Sequence, residues 1–221
     1  MTSPEPGSPG RLRVTPADSL RRLLGEIDIY LLDQIMRGRF DARQRLLDAG
    51  CGDGRNLTWF LQSGYDVCAL DADPGAVAAV QAMSASLSPS RPPPDVRVGG
   101  LDALPWPDAS MDAVISSAVL HFARDDGHFE RMVGELWRVL RPGGLLFARL
   151  ASSIGIETLL TQQTGRVRLP DGSDRYVVSE EMLLAWTERL DGRLVDPIKT
   201  TNVQHRRCMT TWCLEKRGGM R

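Results

Sequence analysis

The apolar residues of this chain recur with two different periods, and the switches between them outline the fold. Leu20, Leu23, Leu24, Ile27, Tyr30, Leu31 and Ile35 return every three or four residues. That is the spacing of one helix face, so one or two helices open the domain. Thr15, Pro16 and Asp18 precede them in the order of an N-cap, a first helical residue and the third position of a capping box. A short apolar run, "RLLDA" at 45–49, then reads as a strand, followed by a helix from about Gly54 to Gly64 and a second strand, "YDVCAL". Asp73 and Pro74 cap the next helix. "SPSRPPPD" is barred from helix and central strand by its prolines, so it is a loop.

"VRVGG" and "MDAVISSAVL" supply a third and a fourth strand. From Asp125 or Asp126, the stripe Phe129, Met132, Val133, Leu136, Trp137 and Leu140 marks a helix, which Pro142-Gly143-Gly144 ends before a fifth strand, "LLFARLA". Strands alternating with helices imply βαβ units and a parallel sheet covered on both faces. The end of the chain breaks this rhythm. Asp171-Gly172 between two strand-like runs signals a hairpin, and Ser179 caps a helix. "GRLVDPIKTTNV" and "RRCMTTWCLEK" are separated by so few residues that they must pair antiparallel. The predicted fold is α/β: a Rossmann-like, seven-stranded, mostly parallel sheet with an antiparallel last strand. Residues 1–13 are predicted to be a disordered tail and 14–221 one domain. Within it, 14–44 form a helical cap and 155–178 a lid, with Gly155, Gly165 and Gly172 as flexible points.

Composition narrows the class of protein only modestly. The chain has 221 residues, 42% of them hydrophobic and 25% charged, with a net charge of −1. That is ordinary for a soluble globular domain and gives no general attraction to nucleic acid. No apolar run approaches the length of a bilayer span, so a cytoplasmic location without membrane contact is expected. Cys51, Cys68, Cys208 and Cys213 form no Cys-x-x-Cys pair. They read as four separate thiols, and no metal site is expected.

The chemistry concentrates in "LLDAGCGDGRN", residues 46–56. A strand, a glycine-rich turn and a helix favour anionic ligands, but the dinucleotide spacing would need a glycine where Arg55 stands. Asp48, Asp53, Asp71 and Asp73 crowd the turn and the end of the second strand. That acid density repels a pyrophosphate and suits a ligand with a sulfonium, an ammonium and a single carboxylate. The segment resembles motif I of class I S-adenosylmethionine-dependent methyltransferases. "VCALDADP", "LPWPDASMDAVISSAVLHF" and "LWRVLRPGGLLF" resemble the later motifs, in order and at matching spacing. The resemblance covers about residues 45–150 and is nearest to the small methyltransferases grouped with tellurite-resistance and ubiquinone-biosynthesis enzymes.

The resemblance implies that S-adenosylmethionine is bound by Asp48, Gly50, Cys51, Gly52, Gly54, Asn56, Asp71, Ala72, Leu101, Asp102 and Ser116, with S-adenosylhomocysteine as product. Asp71 would hold both ribose hydroxyls. One position departs: Gly100 stands where similar enzymes carry the acid that contacts adenine, and Asp102 is the nearby substitute. Direct methyl displacement needs no metal, and needs a base only when the nucleophile arrives protonated.

His121 is the expected base. Tyr30, Arg149, His205 and Arg206 are the expected acceptor-binding residues, and Arg207 is a further group able to hold a small anionic acceptor. "SSAV" differs from the Asn/Asp-Pro-Pro-aromatic motif of base-methylating enzymes. A small-molecule acceptor in a small, mostly apolar pocket follows as the expectation. Two alternatives remain: an RNA methyltransferase, suggested by the arginines at 11, 13, 21, 22, 37, 39, 43 and 45, and a non-catalytic cofactor-binding regulator.

Overall fold

The computed structural model describes residues 15–218; the tail expected at 1–13 lies outside them. Two helices, α1 (Pro16–Leu24) and α2 (Ile29–Met36), precede the sheet. The capping box at the start of α1 is formed, with Asp18 N–H donating to Thr15 Oγ1 and Thr15 N–H donating to Asp18. The sheet then builds from β1 (Arg45–Ala49), β2 (Asp66–Asp71), β3 (Asp95–Val98), β4 (Met111–Ser117) and β5 (Leu140–Ser152), all parallel. Between them run α3 (Thr58–Ser63), α4 (Pro74–Leu87) and α5 (Asp126–Val139).

A small hairpin, β6 (Gly165–Arg168) and β7 (Asp174–Val177), follows β5 and leads into α6 (Glu180–Arg189). The last strands are β8 (Gly192–Leu194), β9 (Lys199–Val203) and β10 (Arg207–Lys216). The strand β10 inserts antiparallel between β5 and the β8/β9 pair, giving the order 3-2-1-4-5-10-8 with β9 also on β10.

Three local readings are corrected. The sixth strand is two short strands, because Asp196-Pro197 interrupts its ladder, so the sheet holds eight strands along the seven-strand path. The helix after β1 begins at Thr58, not Gly54: Gly54 has φ +84°, which an α-helix cannot continue through. β5 starts at Leu140, so Pro142-Gly143-Gly144 lie inside the strand's first residues.

Two apolar layers hold the sheet. One face packs Phe129, Met132, Val133 and Leu136 of α5 and Leu183 of α6 against β4, β5 and β10. The other packs Leu31 of α2, Phe60 of α3 and Val80 of α4 against β1 and β4. All four cysteines are buried thiols, and Cys208 and Cys213 fall in different apolar clusters, as opposite strand faces require.

The segment expected as a lid is anchored at its base. Tyr176 is fully buried, stacks on Phe129 with centroids 4.8 Å apart, and donates its hydroxyl to Asp126 at 2.8 Å. Tyr176→Phe removes a bond to a carboxylate on an exposed residue. The expected loss is ~1 kcal/mol, seen as a lower urea midpoint with an unchanged slope. An unchanged midpoint would show that stacking alone holds the hairpin.

Candidate active site

Parallel α/β sheets bind ligands past the carboxyl ends of their strands. There a cleft of about 690 Å³ opens, walled by residues that follow β1, β2, β3 and β4. The glycine turn forms its floor. Gly50 and Cys51 both donate their backbone N–H to the Leu70 carbonyl, at 2.7 and 3.0 Å, which ties the turn to β2. Gly50 has φ +85°, and a Cβ there would lie 2.6 Å from Val119 Cγ1, with Cγ2 nearer still. Only glycine fits. At Gly52 a Cβ would meet nothing within 4 Å, so this residue leaves the floor open toward the ligand.

Asp71 closes the end of β2. Its carboxylate accepts from Gly52 N–H at 2.8 Å and from Asp73 N–H at 3.0 Å, which fixes its plane and leaves other lone pairs for the cleft. At the far wall stand Gly100, Leu101 and Asp102. A Cβ at Gly100 would come within 2.7 Å of Asp102 Oδ1. The Asp102 carboxylate therefore occupies the space beside Gly100 that a side chain at that position would fill. His128 Nε2 lies 3.5 Å from it and an Arg124 guanidinium nitrogen 3.8 Å.

Asp48 provides a test of which ligand fits. It is buried beneath the turn, and neither carboxylate oxygen has a partner. Burial pushes its carboxyl up to about 7; Arg55 opposes that shift and Asp71 adds to it. A cationic ligand in the cleft above would favour its charged form, whereas a pyrophosphate would add repulsion. The residues fit S-adenosylmethionine: Asp71 would accept from the ribose hydroxyls, Leu101 and Asp102 would bound adenine, and the glycine turn would take the amino-acid end.

A stability prediction follows from Asp48. The folded carboxyl keeps its proton to about pH 7 while the unfolded one, at the ordinary value of 3.8, loses it far lower. The unfolded chain thus binds fewer protons between those values, and stability from this group falls as pH rises through the window. Asp48→Asn removes the dependence. Without ligand, its melting temperature should gain on the wild type from pH 4 to pH 8; a pH-independent difference would contradict the assignment.

A second cavity, of about 260 Å³, adjoins the cleft, and Arg55 and Ala118 line both. Ala118 has φ +66°, a left-handed conformation uncommon for a non-glycine residue, and donates its N–H to the Arg149 carbonyl at 2.7 Å. Arg149, Arg175, Arg207 and His121 line the second cavity, with Leu169 and Asp171 from the β6–β7 hairpin. Its wall rests on Asp28, the buried N-cap of α2. Asp28 accepts from Ser117 Oγ at 3.1 Å and from Arg149 at 3.2 Å, and Arg55 lies 3.8 Å away. Its own N–H donates to Asn56 Oδ1 at 3.0 Å. One carboxylate thus bolts the N-terminal cap to the glycine turn, β4 and β5. Tyr30 lies under the Arg149 guanidinium, 4.8 Å from its ring centroid, and its hydroxyl bonds Thr201.

The structure gathers Gly50, Cys51, Gly52, Asn56, Asp71, Ala72, Leu101 and Asp102 around one cleft. It sets others apart: Asp48 lies buried beneath the turn and does not line the cleft. Ser116 is fully buried with an unpartnered hydroxyl, and strand alternation brings Ser117 to the wall instead. Gly54 lies outside the cleft, and a Cβ there would press on Met83 Cε at 2.6 Å, so its role is close packing against α4. His205 and Arg206 occupy the exposed β9–β10 turn, outside the cavity that Arg149 and Arg207 share. That cavity is small, as expected, but arginine-lined rather than mostly apolar. Burial first, then Arg175, Arg149 and Arg207, bring the His121 imidazole down to about 4, which makes it a weak base at neutral pH.

Sequence reading passed over Asp28, Arg175 and His128. Only the helix-capping pattern could have marked Asp28.

Residues 47–148 match a family described as a methyltransferase domain, and the chain resembles class I S-adenosylmethionine-dependent methyltransferases. It is 32% identical over 167 residues to a probable S-adenosylmethionine-dependent methyltransferase of Mycolicibacterium smegmatis, covering 72% of this chain and 61% of the relative. It is 30% identical over 175 residues to a tRNA U34 carboxymethyltransferase of Methylococcus capsulatus, covering 75% of this chain and 50% of that one. This chain thus spans between half and two thirds of the length of these relatives. Its fold resembles a Burkholderia thailandensis 1,6-didemethyltoxoflavin-N1-methyltransferase solved with bound 1,6-didemethyltoxoflavin and S-adenosylhomocysteine. The TM-score is 0.61 at 16% identity, over 96% of this chain and 94% of that one.

Proposed function

We propose that the protein transfers the methyl group of S-adenosylmethionine to a small molecule held in the arginine-lined cavity. The observation that carries this reading is the junction of the two cavities at Arg55 and Ala118. A ligand in the cleft and an acceptor next door would meet there, and alignment of the two is the larger part of what a displacement needs. When bound, S-adenosylmethionine supplies an activated methyl on a sulfonium. The chain's own residues do the rest. Asp71 orients the ribose, Asp102 and Leu101 bound the adenine end, and Arg149, braced by Asp28 and Tyr30, faces the acceptor.

A cavity of about 260 Å³ suits a small molecule. Most of the N-terminal arginines among the described residues face acids of this chain. Arg21 faces Asp18 and Glu26, Arg37 and Arg39 face Asp196, Arg43 faces Glu215 and Arg45 faces Asp66. Arg11 and Arg13 lie outside the described residues. Among the described residues, no helix is long and apolar enough to cross a membrane. Four buried thiols without a disulfide support a cytoplasmic setting.

The test is transfer of labelled methyl from S-adenosylmethionine to a panel of small acceptors. Label should appear in one chemical class of product, with S-adenosylhomocysteine in equal amount. Tight cofactor binding without transfer to any acceptor would favour the regulatory alternative.

A further inference from the structure

We propose that the methyl acceptor is a small organic carboxylate and that the product is its methyl ester; this rests on the methyltransferase reading above. The cavity beside the cleft carries Arg149, Arg175 and Arg207, with Arg55 at its mouth. The acids that face them are few. Asp171 lines the cavity, but its carboxylate accepts from Ser173 N–H at 2.9 Å and Ser173 Oγ at 2.6 Å, and lies 3.9 Å from Arg207. Asp28 stands behind Arg149. Arg175 makes no ion pair among the described residues; it stacks on Phe122, 5.1 Å from the ring centroid, and donates to the Asp174 carbonyl. The cavity therefore holds uncompensated positive charge. Two buried nitrogens point the same way: Arg149 Nε and His121 Nδ1 have no hydrogen-bond partner. Guanidinium forks match a carboxylate's planar pair of oxygens. Leu169 and Met209 leave room for a short apolar body behind that head group.

The lining also lacks an effective base. Asp171 is held by Ser173 and Arg207, and the His121 imidazole sits at about 4. A phenol, thiol or ammonium would need its proton removed before attack, whereas a carboxylate arrives with its nucleophilic electron pair free. The step balances without a proton. A carboxylate oxygen forms a bond to the methyl carbon, the carbon–sulfur bond breaks, and its electron pair stays on sulfur. Carboxylate and sulfonium become a neutral ester and a neutral thioether. The arginines hold the acceptor in register against the methyl, and the loss of charge on transfer loosens the product's hold on them. His121 is then a positioning group at the wall.

The experiment uses the full chain and four probes: a panel of short aliphatic and aromatic carboxylates, with the amide, phosphonate and phenol analogue of each. Calorimetry in the presence of S-adenosylhomocysteine measures binding, and labelled S-adenosylmethionine measures transfer. At least one carboxylate should bind at least tenfold more tightly than its amide. The label should be released as methanol by mild alkali, which identifies an ester. At saturating S-adenosylmethionine, kcat/KM for the acceptor should stay flat from pH 6 to 9 and fall only toward the acceptor's own pKa, about 4 for a carboxylate. Arg175→Gln and Arg207→Gln should each weaken carboxylate binding at least tenfold while S-adenosylhomocysteine affinity is unchanged. Having both variants guards against one failing to fold.

Equal binding of amide and carboxylate would overturn the proposal, as would tighter binding of the phosphonate. So would alkali-stable label on a phenol, thiol or amine, and that result would leave the methyltransferase reading intact. Carboxylate binding lost in both variants, with no methyl transferred to any probe, would instead overturn the enzymatic reading.

Discussion

Asp71→Ala is expected to weaken binding of S-adenosylhomocysteine by a hundredfold to ten-thousandfold. The carboxylate would accept two hydrogen bonds from the ribose, each worth ~1.5–3 kcal/mol for a charged acceptor, and ~1.4 kcal/mol is tenfold in affinity. The alanine also releases the Gly52 and Asp73 N–H groups, so the turn loses one of its tethers to β2 and keeps those on the Leu70 carbonyl. Asp71→Asn separates the two effects, because its amide oxygen still accepts from Gly52 while the negative charge is gone. Its loss should be smaller than that of alanine but still at least tenfold. Calorimetry decides it, and an unchanged affinity in Asp71→Ala would remove Asp71 from the ribose site.

Gly50→Ala is expected to abolish measurable cofactor binding. The added methyl meets both Val119 methyls, and the backbone at φ +85° penalises any Cβ by ~1–2 kcal/mol on its own. Relief can come only from a shift of the turn or of Val119, and both residues line the cleft. Val119→Ala in the same chain should restore part of the affinity, since it removes the clash and leaves the backbone strain. Full restoration would mean the strain costs nothing; no restoration would mean the turn itself had moved.

The order of strands and helices was legible because each element carries its own local signal. The stripe of Phe129, Met132, Val133 and Leu136 is buried as one face, and the caps at Thr15, Asp73, Asp125 and Ser179 stand where their side chains suggest. Boundaries failed where a backbone angle decided them. Nothing in the letters says that Gly54 turns left-handed, delaying α3 by four residues, whereas Pro197 was a visible signal that the strand splits there.

The cofactor cleft was legible for a similar reason: Gly50, Gly52 and Asp71 sit within one βαβ unit, so their spacing in sequence sets their spacing in space. The second cavity was legible only in part: Arg149 and Arg207 were marked, but Arg55 and Arg175 were not. It is assembled from Arg55, Arg149, Arg175 and Arg207, which come from four separate elements, and its brace is Asp28, 121 positions before Arg149. Contacts of that separation leave no local pattern. Strand alternation also settled Ser117 over Ser116, a difference of one residue that sequence spacing alone left open.

The most direct test of the account is a crystal structure with S-adenosylhomocysteine bound. The ribose hydroxyls should lie within hydrogen-bond distance of Asp71, and the sulfur should face the opening between Arg55 and Ala118 toward Arg149. A sulfur turned away from that opening, or an adenosine bound without Asp71, would contradict it.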